Sequence, residues 1–170
     1  MSNTRTTCFL SLLMICSGAI AAPAQDPQPK SGVVLSVVGD VPRPCKLTAP
    51  EIAQLPRKTV RAKDHQGKEA DFDGVPLVEV LKASGVKFGQ DLRGPALATY
   101  LVVEAADGYR AVFALPELDP AFSDRVILLA DRRDGKPLVG NEGPLRVVVP
   151  GEKRHARWVR QVIALKIGRG

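Results

Sequence analysis

The sequence has few of the residues that bind metals, form disulfides or stack on bases. Its 170 residues include 3 cysteines and 2 histidines, and aromatic residues make up 5%. His65 and His155 stand too far apart in sequence to form a metal-ligand signature. The scarcity of aromatic side chains argues against stacking on nucleic-acid bases. We therefore expect neither a histidine metal site nor a nucleic-acid partner.

The first 21 residues have the pattern of a secretory signal peptide. Arg5 gives a positive start, Cys8–Cys16 is an apolar core, and Ala19-Ile20-Ala21 is a small-residue cleavage site. The apolar core is too short to span a bilayer, and no later run is apolar for long enough. We expect cleavage near Ala21 and a periplasmic or secreted protein whose mature chain has no membrane span.

Cleavage at that point would leave Cys45 as the single cysteine. An internal disulfide is then excluded, so the exported domain must be stabilised by its hydrophobic core. Cys45 is either a buried, inert thiol or a reactive one beside the cations Arg43 and Lys46. The formal net charge of +6 favours anionic ligands in general.

The remainder of the chain predicts one α+β domain that is rich in strands. Residues 22–31 predict a disordered mature N-terminus, and the folded domain is expected over 32–168. Thr48-Ala49-Pro50-Glu51 fits a helix-capping box, and Pro76 begins the clearest helix, which Gly85 ends. Apolar segments between turn residues predict eight strands, at Val33–Val38, Thr59–Ala62, Glu69–Phe72, Tyr100–Ala105, Tyr109–Phe113, Val126–Ala130, Leu145–Val149 and Val162–Ile167. Because strands dominate and two helices come early, we expect a mixed or antiparallel sheet.

The most informative stretch is Asn141–Lys166, which contains an arginine inside an apolar strand. Arg146 lies within Leu145–Val149, where a guanidinium is costly unless it meets an anion or a carboxylate. A loop of basic side chains follows and ends at Trp158: Lys153, Arg154, His155 and Arg157. A strand that delivers an arginine to a cationic loop beside an aromatic indicates an anion-binding or cofactor-binding cleft.

Each of these basic residues also has a structural interpretation. Arg146 either anchors a phosphate or another oxyanion, or forms an ion pair with Glu142 or Asp131. The basic loop either enlarges that anion site or is a solvated surface. Trp158 is expected to pack in the core below the Arg146 strand.

The other histidine lies in a polar turn. His65 with Asp64 could contact a ligand, but Asp-His-Gln-Gly is also ordinary turn chemistry. Asp107-Gly108 predicts a hairpin turn, because both residues tolerate positive φ.

A known family has the same features in the same order. The motifs that carry the resemblance are Gly39-Asp40-Val41-Pro42, Phe72-Asp73-Gly74-Val75-Pro76-Leu77, Asp107-Gly108-Tyr109, Gly143-Pro144-Leu145-Arg146-Val147-Val148-Val149-Pro150-Gly151 and Arg157-Trp158-Val159. The chain resembles the molybdopterin-binding oxidoreductase domain of the sulfite oxidase superfamily, in particular its small exported members. The resemblance covers roughly Val33 to Ile167.

The resemblance implies a β-rich α+β fold and a pterin cofactor. In catalytic relatives, a pterin dithiolene and one cysteine thiolate bind molybdenum, which transfers an oxygen atom to or from substrate. By this resemblance the cofactor-binding residues are expected to be His65, Asp107, Tyr109, Arg146, Lys153, Arg154, His155 and Arg157. We assign no catalytic residue and no metal ligand.

The chain departs from the family at the metal-binding cysteine. That residue falls within the region corresponding to Val60–Asp73, which contains no cysteine here; Asp64 and His65 stand near its place. Two functions follow as alternatives. One is an exported molybdopterin-dependent oxidoreductase transferring an oxygen atom or electrons, with a redox partner. The other is a non-catalytic binding module that keeps the fold and binds a small anionic ligand or a protein partner.

Overall fold

The computed structural model describes residues 32–170, so the predicted signal peptide and mature N-terminus lie outside the described residues. The chain forms ten strands and three short helices in this part. The strands are β1 (Val33–Gly39), β2 (Cys45–Thr48), β3 (Lys58–Lys63), β4 (Glu69–Pro76), β5 (Thr99–Ala105), β6 (Arg110–Ala114), β7 (Leu128–Arg133), β8 (Lys136–Pro137), β9 (Arg146–Val148) and β10 (Val162–Arg169). The helices are α1 (Ala49–Ala53), α2 (Leu77–Ala83) and α3 (Leu115–Leu118). None of the described helices is long and apolar enough to cross a membrane.

The strands form two five-stranded sheets. The first has the order β2-β1-β10-β5-β6, and the second has the order β3-β4-β7-β8, with β9 also paired to β7. β1 and β10 run parallel, and the other pairs are antiparallel. The expected mixed, β-rich α+β fold is therefore confirmed.

The hydrophobic core follows from the alternation of side chains along the strands. In β5, alternate residues from Thr99 to Ala105 are buried and those between them are partly exposed, which is the period of a half-buried strand. Strands of both sheets contribute to one cluster of buried side chains, including Leu35, Phe72 and Leu165 at 0% exposure. Cys45 is free and residues 32–170 contain no disulfide, so this core must supply the stability of the described domain.

The predicted local signals formed as expected. Thr48 and Glu51 make the capping box: the Thr48 amide donates to the Glu51 carboxylate at 2.8 Å. The amide of Gly67 closes the β3–β4 turn on the carbonyl of Asp64 at 2.9 Å. Gly74 marks a bulge in the β4–β7 pairing, where a Cβ atom would lie 2.1 Å from the Leu129 carbonyl oxygen. Only glycine allows β4 and β7 to approach so closely.

The sequence pattern missed β2 and β8 and misplaced one further strand. The prediction Val126–Ala130 is wrong at both ends, because β7 runs from Leu128 to Arg133. The carbonyl of Ile127 instead accepts the amide of Leu77 at the start of α2. The polar end of β7 is a strand because Arg132 and Arg133 pair with both β4 and β8.

Candidate functional site

A polar cleft of about 540 Å³ opens beside the turn between β5 and β6. The segment between the basic loop and β10 forms its other side. Its lining residues are Ala105, Asp107, Tyr109, Asn141, His155, Ala156, Trp158, Val159, Arg160 and Gln161.

The β5–β6 turn is fixed against the basic loop by hydrogen bonds. The Asp107 carboxylate accepts the Tyr109 amide at 2.9 Å, so the aspartate shapes the turn. The Tyr109 hydroxyl donates to the carbonyl of Ala156 at 2.6 Å. Ala156 lies in a short 3-10 helix, His155–Arg157, so this bond sets the width of the cleft on that side.

Trp158 forms a rigid wall of the cleft and confirms the expectation of a core tryptophan. It is 4% exposed, and its indole nitrogen donates to the Val149 carbonyl at 3.0 Å. The Phe72 ring meets it edge-on with centroids 5.6 Å apart, and the His155 ring does so at 4.4 Å. His155 Nε2 lies 2.8 Å from the carbonyl oxygen of Lys63, which fixes the imidazole in place.

Arg160 is the arginine that lines the cleft. Its side chain is exposed, and it makes no salt bridge with any residue between 32 and 170. The next residue, Gln161, has a φ of 49°, an unfavourable left-handed conformation for a residue with a side chain. This conformation is held by the Gln161 side-chain amide on the Gly140 carbonyl at 3.1 Å and by the Ala106 amide on the Gln161 carbonyl at 3.0 Å.

Arg146 lies outside the cleft, in a group that we call the buried ionic cluster: Asp64, Arg133, Glu142 and Arg146. Arg146 is 1% exposed and donates to the Glu142 carboxylate at 2.6 Å. Its guanidinium carbon lies 5.1 Å from the Trp158 ring centroid. Of the two roles left open for Arg146, the structure shows the ion pair, with Glu142 as the partner. Desolvation lowers the pKa of Arg146, and attraction by Glu142 offsets only part of this.

Arg133 connects this pair to the turn between β3 and β4. Its guanidinium donates to Asp64 at 2.6 Å and lies 3.9 Å from the carboxylate of Glu142. Asp64 is 3% exposed and also accepts the amides of Gln66 and Lys68, at 2.9 and 3.0 Å. Burial raises the pKa of Asp64, but the hydrogen bonds from Arg133 and the two amides outweigh this and hold it below its usual range.

Arg157 is held by two carboxylates, in a group that we call the Arg157 clamp: Glu117, Glu152 and Arg157. Its Nε donates to Glu152 at 2.7 Å and its Nη1 to Glu117 at 3.0 Å. Desolvation lowers the pKa of Arg157, but the hydrogen bonds to Glu152 and Glu117 outweigh it and the pKa is raised. The guanidinium also stacks 4.6 Å from the centroid of Phe113.

The eight candidate residues thus occupy different environments. Asp107, Tyr109 and His155 line the cleft, whereas Arg146 and Arg157 are paired with carboxylates. The remaining three are exposed and are not among the lining residues: His65, Lys153 and Arg154. The sequence pattern did not single out Arg160. A cation with no carboxylate beside it in sequence, placed between the buried Val159 and the strand at Val162, was a usable signal.

The residues present do not fit a thiolate-bound molybdenum. Cys45 lies on β2, and two strands, β1 and β10, lie between β2 and β5, the strand beside the cleft. The Cys45 sulfur is 3.3 Å from the Ser84 hydroxyl. Residues 32–170 contain no group of three or more histidine, cysteine or carboxylate side chains able to hold a metal ion. Arg157 is held by two carboxylates, whereas Arg146 keeps a buried Nε with no hydrogen-bond partner among the described residues beside its bond to Glu142.

Comparison with known proteins gives a family and a related fold. A family model described as oxidoreductase molybdopterin binding domain matches residues 62–167. The structure is similar to the crystal structure of the sulfane dehydrogenase SoxCD from Paracoccus pantotrophus, with a TM-score of 0.62 and 24% sequence identity. That alignment covers 78% of this chain and 37% of the other, so the similarity shows the shared fold and spans little more than a third of that protein chain. No curated protein gave a significant match.

Proposed function

The chain belongs to the oxidoreductase molybdopterin-binding domain family, and we propose that it acts within that family as a ligand-binding domain, taking a small anionic ligand in the cleft beside Arg160. The supporting observation is the contrast between Arg160, which has no carboxylate partner in residues 32–170, and the paired Arg146 and Arg157. A guanidinium can bind a carboxylate or phosphate through two parallel hydrogen bonds.

The backbone beside Arg160 also supports a binding role. Residues in sparsely populated conformations persist only where their surroundings hold them, and they concentrate at functional sites. Gln161 is such a residue, and two hydrogen bonds hold it at the edge of the cleft. Asn141 and Gln161 add amide groups to the cleft, which suit the polar atoms of a small ligand.

Binding measurements on one variant test this proposal. Titration calorimetry would measure the affinity of the wild type for inorganic phosphate and for a carboxylated pterin. Arg160→Ala should weaken binding about tenfold or more, since one charge-assisted contact is lost. Arg93→Ala is a matched control, because Arg93 is also exposed and is not among the cleft residues. Absence of binding to both probes, or equal binding by Arg160→Ala, would reject the proposal.

Catalysis at a pterin-bound molybdenum is the second candidate function. The family description favours it, and the ligand set described above does not. The measurement is molybdenum and pterin content, by mass spectrometry and by pterin fluorescence, after expression of the full sequence in a bacterium that makes molybdopterin. We expect substoichiometric molybdenum. One molybdenum per chain would favour the enzyme and redirect the search to its missing ligand.

We also propose that the protein is exported to the periplasm or the medium. The support is the signal-peptide pattern of residues 1–21. N-terminal sequencing of the protein recovered from its producing cells should begin at Ala22. A retained Met1 on the accumulated, folded protein would refute export by cleavage.

A further inference from the structure

The arginines beside Trp158 and Phe113 are neutralised by carboxylates of the same chain. The buried ionic cluster contains two arginines and two carboxylates, so its formal charge is zero. The Arg157 clamp contains one arginine and two carboxylates, so its formal charge is −1. Neither group offers the positive potential that a phosphate needs.

The clamp also engages all three nitrogens of the Arg157 guanidinium. Nε and Nη2 both contact Glu152, while Nη1 contacts Glu117 and the Val112 carbonyl. The second carboxylate oxygen of Glu152 is buried and has no hydrogen-bond partner among the described residues. An anion placed beside Arg157 would therefore meet an uncompensated carboxylate oxygen as well as a guanidinium whose three nitrogens already have partners.

We infer that Glu152, together with Glu117, is a built-in counter-ion, which closes Arg157 to external anions and lets this domain fold without a cofactor. The domain thereby departs from the cofactor binding that its family description implies. The Arg160 cleft has no part in this arrangement, because Arg157 is not among the residues that line it.

Removal of the counter-ion should create an anion site. The test uses the full chain carrying Arg160→Ala, which should weaken any anion binding at the cleft. In that background Glu152→Ala should bind inorganic pyrophosphate at least about tenfold more tightly, because the Arg157 fork becomes free for two parallel hydrogen bonds. Adding Arg157→Ala should abolish the gain.

The matched control is Glu79→Ala in the same background, which removes the carboxylate of an exposed ion pair on α2. Glu152→Ala is expected to fold, because Arg157 keeps Glu117. Pyrophosphate affinity equal to that of the Glu79→Ala control would overturn the inference.

A second measurement tests cofactor-independent folding without any substitution. A cofactor that binds only the native state raises the melting temperature. We expect the wild type purified from a strain lacking molybdopterin synthesis to melt within about 1 °C of protein from a competent strain. A clearly lower melting temperature from the deficient strain would show that the cofactor completes the fold, and the inference would fail.

Discussion

Trp158 borders two regions in which an arginine has opposite surroundings: buried and paired in one, exposed and unpaired in the other. In the buried ionic cluster, Arg146 is 1% exposed and its charge is matched by Glu142. In the cleft, Arg160 faces solvent and has no carboxylate partner among the described residues. A buried charge must be paired to be tolerated, whereas an exposed one can remain available to a ligand. The comparison separates arginines that stabilise the structure from the arginine that can bind.

Trp158→Ala should have the largest effect, because Trp158 contributes to both regions. The substitution removes packing against Phe72 and His155 and leaves a cavity, so we expect a loss of about 3–5 kcal/mol in the free energy of unfolding. Urea unfolding measures it. A loss below about 1 kcal/mol would show that Trp158 packs less tightly than its burial indicates.

Glu142→Gln should come next, because it leaves the buried charge of Arg146 without its counter-ion. We expect a loss of about 2–4 kcal/mol in the free energy of unfolding. In the double variant Arg146→Met, Glu142→Gln, neither charge remains, so stability should equal or exceed that of Glu142→Gln alone. A double variant less stable than the single one would mean that Arg146 stabilises the fold through its packing and not through its pair.

Asp64→Asn sharpens the electrostatic part of the comparison. An amide can keep the turn but loses the charged bond to Arg133, so we expect a loss of about 1–3 kcal/mol at pH 7. Because the folded-state pKa of Asp64 is lowered, its contribution is fully present above the unfolded pKa of about 4 and is lost as pH falls through the lower folded-state pKa. The free energies of unfolding of the two proteins should therefore converge only when the pH has fallen below that folded-state pKa. A stability difference independent of pH would assign the effect to the turn alone.

Arg160→Ala should have the smallest effect on stability. An exposed arginine without an ion pair contributes within about 0.5 kcal/mol, and Arg160 also repels Arg146. The melting temperature of the variant should thus equal that of the wild type, while titration calorimetry shows weakened anion binding. A marked destabilisation would place Arg160 in the structural group and remove the contrast between the two regions.

The sequence predicted elements whose causes are local and missed those that depend on strand pairing. The Thr48–Glu51 capping box and the Asp107-Gly108 hairpin depend on residues a few positions apart, so both could be read directly. The ion-pair partner of Arg146 could not be predicted in this way. The β7–β9 register sets Arg146 opposite Ala130, which turns Asp131 to the other face, where it pairs with Arg57. Glu142 is therefore the carboxylate that pairs with Arg146.

The sequence predicted the types of residue at the site better than their arrangement in space. His155 and Trp158 do border a cleft, but the arginine that lines it is Arg160. The left-handed conformation of Gln161, which accompanies this placement, depends on bonds to Gly140 and Ala106. Such long-range backbone contacts leave no periodic pattern in the sequence. The assignments of the remaining candidate residues to a cofactor stay predictions.

The parallel pairing of β1 with β10 has a consequence for the order of events during folding. β10 lies in the middle of the first sheet, between β1 and β5, although it comes last in chain order among the strands that the structure describes. The sheet therefore cannot close until the ribosome has released Val162–Arg169, and contacts between such distant segments form slowly because loop closure opposes them. Until then β1 and β5 lack the strand that joins them, so the first sheet exists only as its two separate strand pairs, β1–β2 and β5–β6.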